Sequence, residues 1–286
     1  MRSLVDENRS RALGFVETLL MRLAMKLTEI SPQFKRFLWR RWYEHLAGYP
    51  LADWRFMNYG FSSLATDDPP LSLQPSDEPN RFAIQLYHHV ASAVALEGLD
   101  VLEVGCGRGG GAFFVKRYFR PRQMTGVDFS AKAICFCERN HRLEGLSFLR
   151  GDAESLPLAD ESFDAVINIE SSHCYGSMPA FLSQVKRVLR PGGHFLFADL
   201  RTTVDRERLH QNIVDTGMTL LIQQDVTANV VEALRRDSER KLALIERNVN
   251  KRLLGAFRQF AAIEGSDIYR AFQDGTAMYV RYLLQK

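Results

Sequence analysis

From Asp100 onward the sequence predicts an α/β fold, a doubly wound parallel sheet with helices on both faces. Strand-like and helix-like stretches alternate as far as residue 200, the pattern of parallel strands joined by crossover helices. The first strand-like run ends in a dense glycine cluster, as a turn does where backbone must approach a ligand closely. At 286 residues the chain can bury a single large core without disulfides or metal.

Leu99–Val104 is the first strand, and a helix follows over about Gly110–Tyr118. Met124–Asp128 is the second strand, with Ser130 placed to cap a helix that runs to about His141. Leu146–Arg150, Phe163–Ile169 and His194–Leu200 are three further strands. A helix at about Met178–Leu189 precedes the last of them and is closed by Pro191-Gly192-Gly193. After Leu200 the pattern is mostly helical, with Val230, Leu234, Ile245, Val249 and Leu253 roughly on one face, and a strand at Ala277–Leu283 ends the chain.

The N-terminal part reads differently. Up to Trp42 it carries nine Lys/Arg against four Asp/Glu, with Phe15, Leu19, Leu20, Leu23 and Leu27 at near-helical spacing. Phe34–Trp42 interleaves basic and aromatic residues. Two helices packed on the main body account for this; so does a surface in weak contact with a membrane or lipid-bearing partner, because apolar faces flanked by Arg suit an interface. Ser62–Asn80, broken by Pro69, Pro70, Pro75 and Pro79, reads as a surface loop. The division is a helical extension over residues 1–80 and a main domain over 81–286.

Composition narrows the function. With 46% hydrophobic and 25% charged residues the chain is neither collagen-like nor disordered. A net charge of +3 gives no support for a nucleic-acid partner. Cys106, Cys135, Cys137 and Cys174 form neither a disulfide framework nor a paired metal pattern, which points to a reducing cytoplasm and to metal-free chemistry. No apolar run reaches the roughly 18 residues that would span a bilayer. Arg22 and Lys26 interrupt the early apolar stretch, so it does not read as a secretory signal.

Glu103-Val104-Gly105-Cys106-Gly107-Arg108-Gly109-Gly110-Gly111 follows the first strand, and Gly105, Gly107 and Gly110 formally satisfy a dinucleotide fingerprint. Glu103 separates the options. At the C-terminal edge of the strand its carboxylate is expected to point into the ligand crevice, where it repels a pyrophosphate and attracts an ammonium. S-adenosyl-L-methionine carries an α-ammonium and a sulfonium and no phosphate, so Glu103 favours that cofactor over a nicotinamide one. Asp128, after the second strand, either caps the next helix or accepts both ribose hydroxyls. Asp152, after the third, is either a turn residue or an acceptor for the adenine amino group.

Together VLEVGCGRGGG, TGVDFS, RGDAESLPLADESFDAV and VLRPGGHFLFADLR resemble the motifs of class I S-adenosylmethionine-dependent methyltransferases. SDEPNR, LYHH, GDAESLP, DESFDAV and ESSHCY resemble, more narrowly, the mycobacterial phthiotriol/phenolphthiotriol dimycocerosate methyltransferases and related fatty-acid O-methyltransferases. That likeness runs from about Asn58 to the C-terminus, is weakest after Leu200 and is absent from the basic N-terminal block. It implies a Rossmann-like, seven-stranded sheet whose last strand is antiparallel, with Thr219–Gln223 as the penultimate strand. It also implies a mobile lid and helices inserted as a cap at about 228–263. It carries cofactor contacts onto Glu103, Gly105, Gly107, Gly109, Asp128, Phe129, Asp152 and Ala153, with Glu170 near the bound ligand. Tyr59 and Gln85 follow from the more variable N-terminal elements.

Glu170-Ser171-Ser172-His173-Cys174-Tyr175 follows the fourth strand, whose C-terminal edge faces the crevice. His173 is placed there either to take a proton from an attacking hydroxyl or merely to pack. Similar O-methyltransferases place a His at this point, often near a carboxylate after the next strand, here Asp199. His88 and His89 face different sides of a helix and read as one packed and one exposed, while Cys135-Phe136-Cys137 reads as inert core. The expected activity is methyl transfer from S-adenosyl-L-methionine to a hydroxyl or carboxyl oxygen of a lipophilic small molecule. C- or N-methylation, or a non-catalytic cofactor-binding protein, are the alternatives.

Overall fold

The computed structural model describes residues 31–49, 54–65 and 69–286. The expected helix carrying Phe15 to Leu27 lies outside the described residues, as do residues 66–68 of the expected loop. Seven strands form one sheet: β1 Asp100–Val104, β2 Gln123–Asp128, β3 Leu146–Arg150, β4 Phe163–Ile169, β5 Leu189–Thr202, β6 Thr219–Asp225 and β7 Ala277–Gln285. The order is β3-β2-β1-β4-β5-β7-β6. β1 to β5 pair in parallel, and β7 runs antiparallel to both β5 and β6. The fold is Rossmann-like and doubly wound.

The helices are α1 Pro32–Ala47, α2 Arg81–Ala91, α3 Gly110–Phe119, α4 Ala131–Asn140, α5 Met178–Val188, α6 Thr203–Asp215, α7 Thr227–Asn248, α8 Leu254–Phe260 and α9 Asp267–Gln273. Ser130 caps α4 as its sequence position suggests, its hydroxyl accepting the N–H of Ala133 at 3.2 Å.

Alternate side chains along each strand feed opposite faces of the sheet. Val101, Ala165, Ile167, Leu196 and Tyr279 face α2, α3, α9 and the first half of α7. Leu102, Val166, Phe195, Phe197 and Tyr282 face α5 and α6. A third apolar cluster stands off the sheet. It joins Leu46, Trp42 and Tyr43 of α1 to Ile245 of α7 and Phe257 of α8.

Several expectations are corrected. Pro191-Gly192-Gly193 does not close a helix. α5 ends at Val188, and Leu189 already pairs with Phe163; the register then jumps to Ala165 with His194, leaving Arg190–Gly193 as a bulge inside β5. His88 and His89 do lie on different sides of α2, but both are half-buried. His88 lies against Phe119, and His89 stacks on Phe61 with ring centroids 4.2 Å apart. Cys137 is buried core, whereas Cys135 is half-buried. Among the described residues no helix is long and apolar enough to cross a membrane.

Candidate active site

The winding of the sheet reverses between β1 and β4, and the C-terminal ends of β1 to β4 bound a crevice there. It holds a cavity of about 1060 Å³, solvent mouth included. The floor is the loop from β1 into α3. Gly105 has a left-handed φ of 75°, and any Cβ at this position would strike the side chains of Ser171 and Tyr175. The N–H groups of Gly105 and Cys106 both donate to the Val127 carbonyl, at 2.8 and 3.0 Å. That of Gly107 donates to Asp128 Oδ2 at 2.8 Å, and Met57 covers Gly107 from the other side.

Asp128 Oδ1 accepts the N–H of Ser130 at 2.8 Å, so this carboxylate braces both the glycine loop and the start of α4 while lining the cavity. Burial raises its pKa, and the backbone N–H groups of Ser130 and Gly107 oppose the rise. Phe129, Asp152 and Ala153 line the same end. α1 reaches across them: Arg36 pairs with Asp152 and lies 3.3 Å from Glu154, and the guanidinium of Arg40 sits 4.1 Å over the Phe129 ring.

Glu103 departs from expectation. Its side chain shares the face of Val101 and is buried under α2, so it does not line the crevice. The Tyr87 hydroxyl, which does line it, donates to Glu103 Oε1 at 2.6 Å, and Oε2 has no partner among the described residues. Burial pushes the carboxyl up to about 7 in spite of that hydrogen bond. Gly109 and Gln85 are likewise not brought to the cavity. Gly109 packs against Cys137, His141 and Phe148, and Gln85 on α2 keeps a buried Oε1 with no partner among the described residues. Tyr59 lines an adjoining cavity instead and reaches this one through its backbone N–H, which donates to Glu170 Oε2 at 2.8 Å.

The residues present fit S-adenosylmethionine. The floor carries glycine at 105 and 107, which lets the backbone approach a ligand closely. Asn58 lines the wall with a buried Oδ1 that lacks a donor among the described residues, as an ammonium would require. Two carboxylates, Asp128 and Asp152, line the same cavity and can accept from hydroxyl and amino donors.

Just beyond the C-terminal end of β4 stands Glu170, whose φ of 49° is left-handed for a non-glycine residue. Its Oε2 also accepts the Tyr279 hydroxyl at 3.0 Å, and burial pushes its pKa up to about 8. One turn further, His173 Nδ1 lies 2.8 Å from Asp199 Oδ1, and its backbone N–H donates to Asp199 Oδ2 at 2.9 Å. Asp199 is fully buried, accepts the Ser172 hydroxyl at 2.6 Å and pairs with Arg201 at 3.0 Å. Burial alone would raise its pKa, but the charges of Arg201 and His173 hold it well below the usual carboxylate range. Burial likewise works against a charged His173; the neighbouring Cys174 and Asp199 outweigh it and push the imidazole up to about 10. His173 stands just behind the cavity wall. Its neighbours Ser171, Cys174 and Tyr175 line the cavity, and Trp39, which also lines it, meets the imidazole edge-on at 5.9 Å.

Sequence reasoning missed the contribution of α1. Arg36, Trp39, Arg40 and Tyr43 all line the cavity. Their i, i+3, i+4, i+7 spacing places them on one helical face, a signal present in the sequence but equally consistent with simple packing.

A family model described as a methyltransferase domain matches residues 102–197. The chain is 40% identical over 256 residues to the phthiotriol/phenolphthiotriol dimycocerosates methyltransferase of Mycobacterium tuberculosis, covering 88% of this chain and 93% of that one. It is 39% identical over 233 residues to the fatty-acid O-methyltransferase of Mycolicibacterium smegmatis, covering 81% and 83%. Among solved structures it is similar to geranyl diphosphate C-methyltransferase from Streptomyces coelicolor in complex with S-adenosyl-L-homocysteine. There the TM-score is 0.63 at 15% identity, covering 86% of this chain and 97% of that one. At that identity the likeness speaks for the fold alone.

Proposed function

The chain belongs to the class I S-adenosylmethionine-dependent methyltransferases, in the group of the phthiotriol/phenolphthiotriol dimycocerosates methyltransferases and fatty-acid O-methyltransferase, and we propose that it methylates a hydroxyl or carboxyl oxygen of a lipophilic acceptor in the cytoplasm. The observation that carries this reading is the His173–Asp199 pair beside the cofactor cavity.

In this reading Asp128 and Asp152 hold the ribose and the adenine amino group, Phe129 and Ala153 flank the base, and Asn58 accepts from the ammonium. The bound cofactor supplies a methyl group activated on a sulfonium. Asp199 fixes the imidazole through Nδ1 and leaves Nε2 to serve the acceptor. An alcohol must lose its proton during attack, and the neutral ring takes it. A carboxylate needs no base, and the protonated ring attracts it. Trp39, Tyr43 and Tyr175 give the acceptor side an aromatic wall that excludes water. On the outer face of α1, Phe37 is 58% exposed beside exposed Arg41, which supports weak contact with a membrane surface.

Asp199→Asn keeps the shape and removes the charge that orients His173. It should lower turnover roughly 10- to 100-fold, part of the 10²–10⁴ attached to a general base. Affinity for S-adenosylhomocysteine should stay within about twofold by calorimetry. A folded variant with unchanged turnover would remove the pair from the mechanism.

A further inference from the structure

Beside the cofactor cavity lies a second one of about 770 Å³, solvent mouth included, enclosed by the strap before α2 and by α7 and α8. The two share Phe56, Met57 and Asn58, so they adjoin through the strap. The second is walled by Trp54, Leu244, Ile245, Phe257 and Phe260, a lining suited to an aliphatic chain.

The same wall also carries Asn58, Asn80, Asp237, Arg240 and Lys241, whose polar ends do not suit hydrocarbon. Lys241 points into the cavity with its side chain only 15% exposed. Its neighbour Asp237 is already held by both ends of the Arg240 guanidinium, Nε at 2.6 Å and Nη2 at 2.7 Å, and lies 3.8 Å from Lys241 Nζ. Apart from that, Nζ donates only to the Tyr59 carbonyl at 3.3 Å among the described residues. Two cations therefore share one carboxylate, and Lys241 keeps N–H capacity beyond these contacts. Tyr59 bonds Lys241 through its carbonyl and Glu170 through its N–H, so the ammonium stands beside the junction with the cofactor cavity. Burial lowers the pKa of Lys241, with Asp237 opposing the shift. Glu170, whose own carboxyl burial pushes up to about 8, opposes that shift as well.

We infer that the second cavity is the acceptor's chain-binding site and that Lys241 selects an acidic acceptor, pairing with the carboxylate of an aliphatic acid at the junction while the chain fills the aromatic and aliphatic gallery. A charge-assisted contact in such a dry site discriminates strongly against an uncharged head of the same length. The inference rests on the reading of the adjoining cavity as the methyl-transfer site, and its test is independent of turnover.

The test is equilibrium binding of dodecanoate and of 1-dodecanol to the S-adenosylhomocysteine complex of the wild type, Lys241→Met and Lys241→Arg, at neutral pH. The wild type should bind the acid at least tenfold more tightly than the alcohol. Lys241→Met should abolish that preference by weakening the acid alone, and Lys241→Arg should retain most of it. Affinity for S-adenosylhomocysteine should be the same in all three. Equal weakening of both lipids by Lys241→Met would make Lys241 a brace for α7. No effect on the acid, or no acid binding by the wild type, would equally overturn the inference. Absence of methyl transfer in the wild type, with binding intact, would instead count against the proposed reaction.

Discussion

Replacing His173 by alanine should lower turnover on an alcohol acceptor by roughly 10²–10⁴-fold, the usual loss when a positioned general base is removed. Affinity for S-adenosylhomocysteine should hardly change, because the imidazole stands behind the cavity wall and the contacts proposed for the cofactor are at Asn58, Asp128 and Asp152. The pH profile gives the sign. The base form is the neutral ring, so activity rises with pH as His173 loses its proton. Cys174 and Asp199 push that pKa up to about 10, so kcat/KM of the wild type should climb through the neutral and mildly alkaline range, with no plateau above the ordinary histidine value of about 6.5. The variant should lose the ascending limb. With a carboxylate acceptor the same substitution should cost about tenfold, through lost attraction and positioning, because that nucleophile is already ionised. A folded variant that keeps full activity and the limb on an alcohol would exclude His173 as the base.

Gly105→Ala should nearly abolish cofactor binding. The residue has a φ of 75°, and its new Cβ would strike Ser171 and Tyr175. Those two side chains are tied to each other at 3.0 Å and to Asn168 at 2.7 and 3.2 Å, so they cannot yield singly. Left-handed backbone costs an alanine about 1–2 kcal/mol, and overpacking adds about 1–3 kcal/mol. If the loop relaxes in the free protein, binding must restore it, and a total of about 2–5 kcal/mol corresponds to roughly 30- to 5000-fold weaker binding of S-adenosylhomocysteine. Calorimetry reads this directly, with circular dichroism as the check on folding. Unchanged affinity would mean that the loop does not approach the cofactor at this glycine.

Much of the fold and of the cofactor end was legible because it depends on short-range rules. β1 to β4 carry apolar runs, and each ends at a residue whose position along the strand fixes where it lies. Asp128 closes β2, and Asp152 and Glu170 lie just beyond β3 and β4, at the edge of the sheet that faces the cavity. Glu103 does not reach the cavity, since alternation along β1 turns it with Val101 toward α2, a consequence of strand parity that the motif alone obscured. β6 was legible only through resemblance: it is an edge strand with nearly every residue exposed, so its sequence carries no buried face. The roles of Arg36, Trp39, Arg40 and Lys241 arise from contacts between elements far apart in sequence, such as Arg36 with Asp152 across 116 residues, and local pattern cannot register them.

The most direct measurement is the fate of the methyl group. Wild-type protein is incubated with S-adenosylmethionine deuterated in its methyl group and with a lipid mixture containing long-chain acids and alcohols, and the products are fragmented in a mass spectrometer. The expected result is a trideuterated methyl ester or methyl ether, with every deuterium on the methyl bound to oxygen. Label on carbon or nitrogen, or cofactor turnover that leaves every lipid unlabelled, would contradict O-methylation of a lipophilic acceptor.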